Sequence, residues 1–473
     1  MNSIFNIRFG LLLLAFLMPL CVIFALEFNG LYGQDGYAYL QMSIDIDLFH
    51  TEAAKEFFWP IIFPLFGKLL QYIIPNHALA LQLISLTAFA LSAVLLFDII
   101  CNLFDASKKW VASFVLLFFV FSPYIFRFSM LVMSDMLCLL FVLITVKYSI
   151  IKEVSSKNVI FVSIAAVLAV STRYVAIVII CVPVIYLYFK SIGQGKYKNL
   201  VMGLFFALLA FLPHLYFKGL SPYGLFDNDL LQDWSVLNSF KKEFIVSNST
   251  VYNFSYLNLI STFLHLVGPA FCVFASILLM TATYMKIKSI RYTINTIILA
   301  TFILYFVFIN GIPFQNNRYY IIAFPLFLIL TFPAYQFIVQ KKEQWRFLAF
   351  IGLLVTQLFL IYQATNSPMV LSKRDNDMAG RIGAFNQKDL PIYTSGLEGP
   401  IGYYLPESPL FGLYRDSVKS FESNFILVID SQRAMSQKPN SNLVKNLNQI
   451  YGGFAIEKRE KLQKNWIIYE FRR

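Results

Sequence analysis

Residues 78–103 read ALALQLISLTAFALSAVLLFDIICNL, and Asp98 is the only charged residue among them. A helix needs about 20 consecutive, mainly apolar residues to cross the hydrocarbon core of a bilayer. This stretch is long enough, and a single charge near one end does not prevent insertion. It therefore predicts a membrane-spanning helix. Similar apolar stretches recur along most of the chain, which predicts a polytopic membrane protein.

About eleven such helices are expected in an all-α membrane module. They cover residues 9–28, 78–103, 110–126, 130–150, 158–173, 174–190, 199–217, 257–285, 293–310, 319–339 and 346–365. The segment from Trp59 to Ile74 is interrupted by Pro60 and Pro64, and it is short for a span. We expect it to be re-entrant or to lie at the membrane surface. The membrane module would then comprise residues 1–365, with its first external loop at 29–76.

Composition and charge support this class. The 473 residues are 58% hydrophobic and 14% charged, whereas soluble proteins carry about 25% charged residues. The net charge of +12 is concentrated in alternate connections, for example at Lys108-Lys109 and Lys341-Lys342. Basic residues collect in cytosolic loops, so this pattern predicts a cytosolic N-terminus and argues against a nucleic-acid-binding protein. The five cysteines all lie in apolar stretches and form no disulfide framework, which favours a bacterial inner membrane.

The last segment, residues 366–473, has a different pattern. Short apolar runs at Pro391–Thr394, Phe425–Asp430 and Trp466–Phe471 alternate with the helix-like stretches Met378–Phe385 and Asn442–Tyr451. Alternation of this kind is typical of a small α/β domain. An odd number of spans after a cytosolic N-terminus places this domain on the extracytoplasmic side.

Ionisable side chains are costly in lipid, so those near span ends are candidates for function. Asp35 and Asp135 lie on the predicted outer face, as do Arg127, Arg173 and Arg318. A carboxylate can accept a proton from an attacking hydroxyl, and an arginine can hold a phosphate through several donors. Simpler interpretations remain open. Asp35 could be a hydrated loop residue, Asp135 could cap a helix, and the arginines could reach out to water as anchors.

Five short motifs occur in a fixed order along the chain. They are Gly33-Gln34-Asp35-Gly36-Tyr37-Ala38-Tyr39-Leu40, Trp59-Pro60-Ile61-Ile62-Phe63-Pro64-Leu65, Ser134-Asp135, Thr172-Arg173-Tyr174 and Asn317-Arg318-Tyr319-Tyr320. Their order and shared sidedness, together with the soluble C-terminal domain, resemble the C-type (GT-C) membrane glycosyltransferases. The likeness is to the group of protein O-mannosyltransferases and lipid A aminoarabinose transferases, that is, to glycosyltransferase family 39. It covers essentially the whole chain, in architecture more than in strict motif.

The resemblance implies roles for individual residues. Asp35 takes the place of the general base, and Asp135 that of a second acid, which positions the acceptor or, in some members, helps to hold a divalent metal. Arg318 and Arg173 are the candidates for the donor phosphate. Tyr37, Tyr39 and Tyr319 are candidates for the substrate groove. A divalent metal ion held by the two acids is left open.

The function that follows is that of an inverting glycosyltransferase of cell-envelope glycan biosynthesis. It would move a sugar from a polyprenyl-phosphate donor to an acceptor hydroxyl of a glycolipid, glycan or protein on the outer face. One alternative is a transporter or flippase for a lipid-linked glycan, although transporters usually show paired halves and ionisable groups near the bilayer midplane. Another is an O-antigen ligase or polymerase, which the long loop Lys218–Tyr256 would fit.

Overall fold

The structure, a computed structural model, describes residues 2–47, 49–151, 153–219, 233–246, 250–253, 255–272, 274–288, 293–313, 316–341, 346–413, 418–435, 437, 441–463 and 465–473. Its helices are α1 Asn2–Ala25, α2 Gly33–Asp45, α3 Glu52–Glu56, α4 Ile62–Gln71, α5 His77–Leu103, α6 Lys108–Val115, α7 Pro123–Ser129, α8 Asp135–Ser149, α9 Ser156–Thr172, α10 Ala176–Gly193, α11 Tyr197–Lys218, α12 Asn258–Val267, α13 Ala275–Lys288, α14 Thr293–Gly311, α15 Tyr320–Lys341, α16 Arg346–Phe385, α17 Glu398–Tyr404, α18 Ser431–Met435 and α19 Asn442–Gly453. Its strands are β1 Glu243–Val246, β2 Thr250–Asn253, β3 Ile392–Thr394, β4 Leu410–Gly412, β5 Asn424–Asp430, β6 Ala455–Gln463 and β7 Trp466–Arg472.

Apolar helices long enough to cross a bilayer dominate the first three quarters of the chain. Within the described ranges, α1, α5, α10, α11 and α15 each meet the length and hydropathy that a span requires. Residues 108–120 and α7 together meet the same criteria but are bent by 73°, as in a broken span or a re-entrant loop, and α4, α9, α12 and α14 include shorter apolar helices. This confirms an all-α, multi-pass membrane module. The total of about eleven spans stays a prediction.

Two predicted spans differ from the helices in the structure: one is divided into two helices, and the other begins later. The apolar stretch 257–285 forms two helices, α12 and α13, because the chain turns at Gly268. The backbone N–H groups of Phe271 and Cys272 donate to the Gly268 carbonyl at 3.2 and 3.1 Å, which closes this turn. The stretch 130–150 becomes helical only at Asp135. Hydropathy identifies apolar stretches correctly but does not show where the backbone breaks within them.

Helix α5 lies at the centre of the membrane module and packs against α1, α4 and α8. Ala80, Ala88 and Ala93 are almost fully buried on it, and such small side chains let neighbouring helices approach closely. At the end of α5 away from the soluble domain, Asp98 pairs with Arg8 of α1 and Lys147 of α8, both at 2.7 Å. These ion pairs fasten three helices together on that face.

The C-terminal domain is a five-stranded sheet with the order β4-β3-β5-β7-β6. Strand β3 is parallel to β4 and β5, and β7 is antiparallel to β5 and β6. Along β5, Ile426 and Val428 face the end of α16, whereas Phe425 and Leu427 face α19. Alternation of this kind buries both faces of a strand. The expected α/β fold is confirmed.

Helix α16 connects the two parts of the molecule without interruption. It is 40 residues long, so the predicted domain boundary between residues 365 and 366 lies inside it. Its last turns carry Met378, Ile382 and Phe385 into the core of the soluble domain. The stretch Met378–Phe385 is therefore the end of the last membrane-module helix and at the same time part of the domain.

Candidate active site

The two acid-bearing helices, α2 and α8, begin side by side because α5 holds the backbone segments that precede them. The Gln82 side chain, which is 1% exposed, donates through Nε2 to the carbonyls of Phe28 at 3.1 Å and Met130 at 2.9 Å. The Val132 N–H donates to the Gly30 carbonyl at 3.0 Å. A buried amide between two carbonyls satisfies groups that would otherwise lack partners in an apolar surrounding. Gln82 thus fixes where both helices start.

Four of the residues that the sequence singled out meet at this point. Arg318 pairs through Nη1 with Asp35, and its Nη2 lies 3.2 Å from an Asp135 carboxylate oxygen. Arg173 pairs with the other oxygen of Asp135. The four side chains form one ion-pair network of two carboxylates and two guanidinium groups. Their formal charges cancel, which allows the network to exist in a largely buried place.

The arginines reach the network because each lies where the chain turns. Arg173 is the C-cap of α9, with extended backbone angles (φ −151°, ψ 120°), and it begins the turn into α10. Arg318 lies in a single 3₁₀ turn before α15, and the Asn316 side chain caps this turn by accepting the Arg318 N–H at 3.1 Å. Residues at such helix ends can direct long side chains into the space between helices.

The two carboxylates differ in their access to water. The Asp35 side chain is 26% exposed, the Asp135 side chain is 0% exposed, and each arginine side chain is 9% exposed. A general base must touch the proton that it removes. Asp35 meets this requirement. Asp135 lies behind the two arginines and contacts them instead of an open space, so its position suits holding the guanidinium groups better than the expected contact with an acceptor.

The network does not offer a fitting site for a divalent metal ion. Within the described ranges, no three His, Cys, Asp or Glu side chains are grouped as metal ligands. Asp35 and Asp135 are both engaged by guanidinium groups, whose positive charge would repel a cation at the same oxygens. The expectation that the two acids share a metal therefore finds no support in the arrangement of these residues.

The three candidate groove tyrosines are buried. Tyr39 donates to or accepts from Ser134 Oγ at 2.8 Å, which ties α2 to the residue before Asp135. The Tyr319 ring lies 5.8 Å from the Arg173 guanidinium carbon, a cation–π distance. Tyr37 points to the soluble domain instead of the network. All three side chains are only 1–7% exposed, and their place in a substrate groove stays a prediction; Tyr39 contacts the residue before Asp135, and Tyr319 contacts Arg173.

An open apolar groove of about 460 Å³ runs between α9, α10 and α11. Only apolar side chains and Cys181 line it, Val170, Ile177 and Phe211 among them. Val170, in the last turn of α9, lies three residues before Arg173, and Ile177, in the first turn of α10, lies four residues after it. One end of the groove is therefore formed by the two helix ends that flank the Arg173 turn.

The burial of some polar residues in this region was not predicted from the sequence. Arg127 is 8% exposed, and its guanidinium carbon lies 4.7 Å from the Tyr32 ring centroid, so it does not reach out to water as an anchor. Lys218, at 1% exposure, donates to the Phe57 carbonyl in the first loop. The available signal for Lys218 was a charge at the end of an apolar stretch.

Solved structures share this fold over nearly the whole chain. The crystal structure of ArnT from Cupriavidus metallidurans bound to undecaprenyl phosphate matches with a TM-score of 0.64 and 14% identity, over 98% of each chain. ArnT from the same organism in the apo state matches with a TM-score of 0.58 and 12% identity, over 96% of this chain and 97% of the other. No protein-family model matches the sequence, and neither does any curated protein.

A third structure is more distant. The archaeal oligosaccharyltransferase AglB from Archaeoglobus fulgidus, in complex with an inhibitory peptide and a dolichol-phosphate, matches with a TM-score of 0.50 and 11% identity. The match covers 95% of this chain and 73% of that one. At these identities the likeness concerns the fold. The predicted fold, a helical membrane module followed by a C-terminal α/β domain, is thereby confirmed over nearly the whole chain.

Proposed function

We propose that this protein is an inverting glycosyltransferase that moves a sugar from a polyprenyl-phosphate donor to an acceptor hydroxyl on the extracytoplasmic face. The observation that carries the proposal is the network of Asp35, Asp135, Arg173 and Arg318, with one accessible carboxylate, beside an apolar groove. The shared fold supports it, because two of the matched structures contain a lipid phosphate, undecaprenyl phosphate in one and dolichol-phosphate in the other. Lipid-linked phosphates are therefore ligands that this architecture can accept.

The donor would bind in two parts. Its isoprenoid chain lies along the groove between α9, α10 and α11, where each buried CH₂ group contributes about 0.8 kcal/mol. Its phosphate binds to Arg173 and Arg318 at the end of the groove. Arginine is suited to this because its planar group offers several donors to phosphate oxygens at once.

Donor binding would also free the Asp35 carboxylate from its ion pair with Arg318. The resting network is neutral, and the phosphate adds negative charge beside Arg318. Arg318 has donors on three nitrogens, and Nη1 is the one that holds Asp35. If Nη1 donates to the phosphate instead of to Asp35, the Asp35 carboxylate is free to accept a proton. Asp135 keeps both arginines in place meanwhile.

Transfer is a single displacement. The acceptor oxygen attacks the anomeric carbon while Asp35 takes its proton, and the bond from that carbon to the phosphate oxygen breaks. The lipid phosphate leaves with the electron pair, and Arg173 and Arg318 stabilise its charge. The new glycosidic bond forms on the opposite side of the anomeric carbon, so the configuration is inverted. Such a step needs no covalent enzyme intermediate.

The test uses the purified full-length protein with a panel of polyprenyl-phosphate sugars. We expect wild-type protein to turn over at least one donor, and Asp35→Asn to lower kcat by about 10²- to 10⁴-fold while still binding the donor. The matched control is Asp45→Asn, an exposed acid at the other end of α2. Full activity of Asp35→Asn would refute the proposed mechanism. Movement of an unchanged lipid-linked glycan across vesicles, with no sugar transferred, would instead indicate a flippase.

A further inference from the structure

The helix that carries Asp35 also contacts the soluble domain. The residue before Asp35, Gln34, donates from Nε2 to a carboxylate oxygen of Glu398 at 3.1 Å. Its Oε1 accepts the backbone N–H of Gly399 at 3.0 Å. Consecutive residues leave a helix about 100° apart. One side of the first turn of α2 thus faces Arg318, and an adjacent side faces α17.

Aromatic and amide contacts extend this interface. The Tyr37 ring packs against Tyr403 and Tyr404 with centroid distances of 6.0 and 6.5 Å. Just before α2, Asn29 donates to the Tyr404 hydroxyl at 3.2 Å and accepts from Ser372 Oγ of α16 at 3.0 Å. The approach to α2 and its first turn are therefore both attached to the part of the chain that forms the soluble domain.

The surface of α17 is arranged for close contact. The Glu398 carboxylate also accepts the Gly396 N–H at 2.8 Å, so its orientation is set by its own loop. A Cβ atom on Gly399 would lie 2.6 Å from Tyr37 Cβ and 2.9 Å from Gln34 Oε1. Any side chain at this position would push α2 away. Glycine lets the two helices meet at hydrogen-bonding distance.

The start of α2 lacks the usual local means of stabilisation. Its N-cap residue is Tyr32, which makes no side-chain capping bond. The first four N–H groups of a helix have no partners within the helix, so an uncapped first turn tends to open. Asp35 lies in this first turn. If the turn opened, the Asp35 carboxylate would move relative to Arg318.

We propose that α17 of the soluble domain positions Asp35 by holding the first turn of α2, with Gln34 and Glu398 as positioning residues. The role of Asp35 rests on the proposed function. The contacts of Gln34 with Glu398 and Gly399, which we call the clamp, concern only whether the first turn of α2 stays helical. The soluble domain is accordingly part of the active-site scaffold. Two independent readouts, amide exchange in α2 and turnover, separate the two ideas.

The first test exchanges the partners of the Gln34 contact. Gln34→Glu places two carboxylates against each other and removes the donor, so the first turn of α2 should open. We expect kcat to fall about 10- to 100-fold with little change in KM for the donor. The double variant Gln34→Glu with Glu398→Gln restores a donor to the pair and leaves the Gly399 bond possible. One Glu398 oxygen accepts from both Gln34 and the Gly396 N–H, so the new amide must turn its oxygen to Gly396 and its nitrogen to position 34. Its kcat should return to within about threefold of the wild-type value.

The second test uses two glycines of the same short helix. Gly399→Ala should push α2 away, whereas a Cβ on Gly402 would meet only Leu410 at 3.5 Å, an ordinary contact. Hydrogen exchange of the backbone amides of residues 37–40, which donate to the carbonyls of the first turn of α2, should become at least about tenfold faster in Gly399→Ala and in Gln34→Glu, and should stay at the wild-type rate in Gly402→Ala and in the double variant.

The outcomes are distinct. Unchanged exchange in both Gln34→Glu and Gly399→Ala would overturn the clamp. Faster exchange with undiminished kcat would overturn the positioning of Asp35. If wild-type protein turns over no donor while exchange responds as expected, the proposed function fails but the clamp stands. Rescue by the double variant, in exchange and in kcat together, supports the proposal and is not expected from a merely destabilised fold.

Discussion

At the scale of single residues, the difference between Asp35 and Asp135 is the most informative feature. Both are aspartates paired with arginine, yet the Asp35 side chain is 26% exposed and the Asp135 side chain is 0% exposed. Water can compensate for a lost partner at the first position and not at the second. Substitution of the two should therefore separate chemistry from stability.

Asp135→Asn should destabilise the protein strongly. Removal of one partner from a buried ion pair costs about 3–5 kcal/mol, because Arg173 and Arg318 would keep their charges without full compensation. Asp35→Asn should cost about 1 kcal/mol or less. Thermal unfolding of the purified variants in detergent measures both. Equal melting temperatures for the two variants would contradict the assigned burial.

The sequence could identify the ionisable residues of the site but not what holds them. Asp35, Asp135 and Arg318 are conspicuous, because charges are rare at the ends of apolar stretches. Gln34 and Gln82 were not predicted. A neutral amide carries no strong signal in sequence, and its partners lie 48–365 positions away in the chain.

At the scale of secondary-structure elements, α5 acts as the support of the site. Gln82 lies near its start and bonds to the carbonyls that precede α2 and α8. Hydropathy predicted this helix nearly at its observed ends, because its apolar run is long and uninterrupted. The break between α12 and α13 was missed, since the turn at Gly268 depends on local hydrogen bonds and not on a change in hydropathy.

Gln82→Met should lower stability and activity together. Methionine has a similar length but no N–H, so the carbonyls of Phe28 and Met130 would lose their buried donor. Each unsatisfied carbonyl should lower the free energy of unfolding by about 1–3 kcal/mol. Melting temperature and kcat measure the two effects. The control is Ser92→Ala on the same helix, where the buried hydroxyl has no partner among the described residues and its loss should be neutral or stabilising. A melting temperature for Gln82→Met equal to that of the control would argue against this role of Gln82.

A buried acid on α16 gives a prediction about pH. Burial raises the pKa of Asp375 above its usual range, although the adjacent Arg374 opposes this effect. The folded state therefore binds this proton more tightly than the unfolded state, so stability falls as the pH rises from the unfolded pKa to the folded pKa and stays lower above it. That loss disappears as pH falls towards the unfolded value of about 4.

Asp375→Asn should accordingly raise the melting temperature at pH 7, and the gain over wild-type protein should shrink as the pH approaches about 4. The matched control is Asp377→Asn, two residues further on the same helix and exposed. It should show no such pH-dependent gain. A gain for Asp375→Asn that stays constant from pH 7 to pH 4 would show that the effect is not electrostatic.

At the scale of the whole molecule, the candidate active site and a second group of ion pairs lie on opposite faces of the membrane module. Asp35 and its arginines lie on the face that touches the soluble domain, whereas Asp98 pairs with Arg8 and Lys147 at the other end of α5. Lys108 and Lys109, which open α6 after α5 ends, and Lys157, at the start of α9, lie on this second face. Their sign predicts that this face is cytosolic.

The orientation can be tested by labelling engineered cysteines in intact cells. Lys419→Cys is exposed in the soluble domain and Lys157→Cys is exposed at the start of α9, on the face of Asp98. A membrane-impermeant maleimide reacts only with hydrated thiols, so the five native cysteines in apolar segments should give little background. We expect labelling at position 419 in intact cells and at position 157 only after permeabilisation. The reverse pattern would place the base, the arginines and the soluble domain in the cytosol. It would also contradict the positive-inside assignment, and with it an acceptor on the extracytoplasmic face.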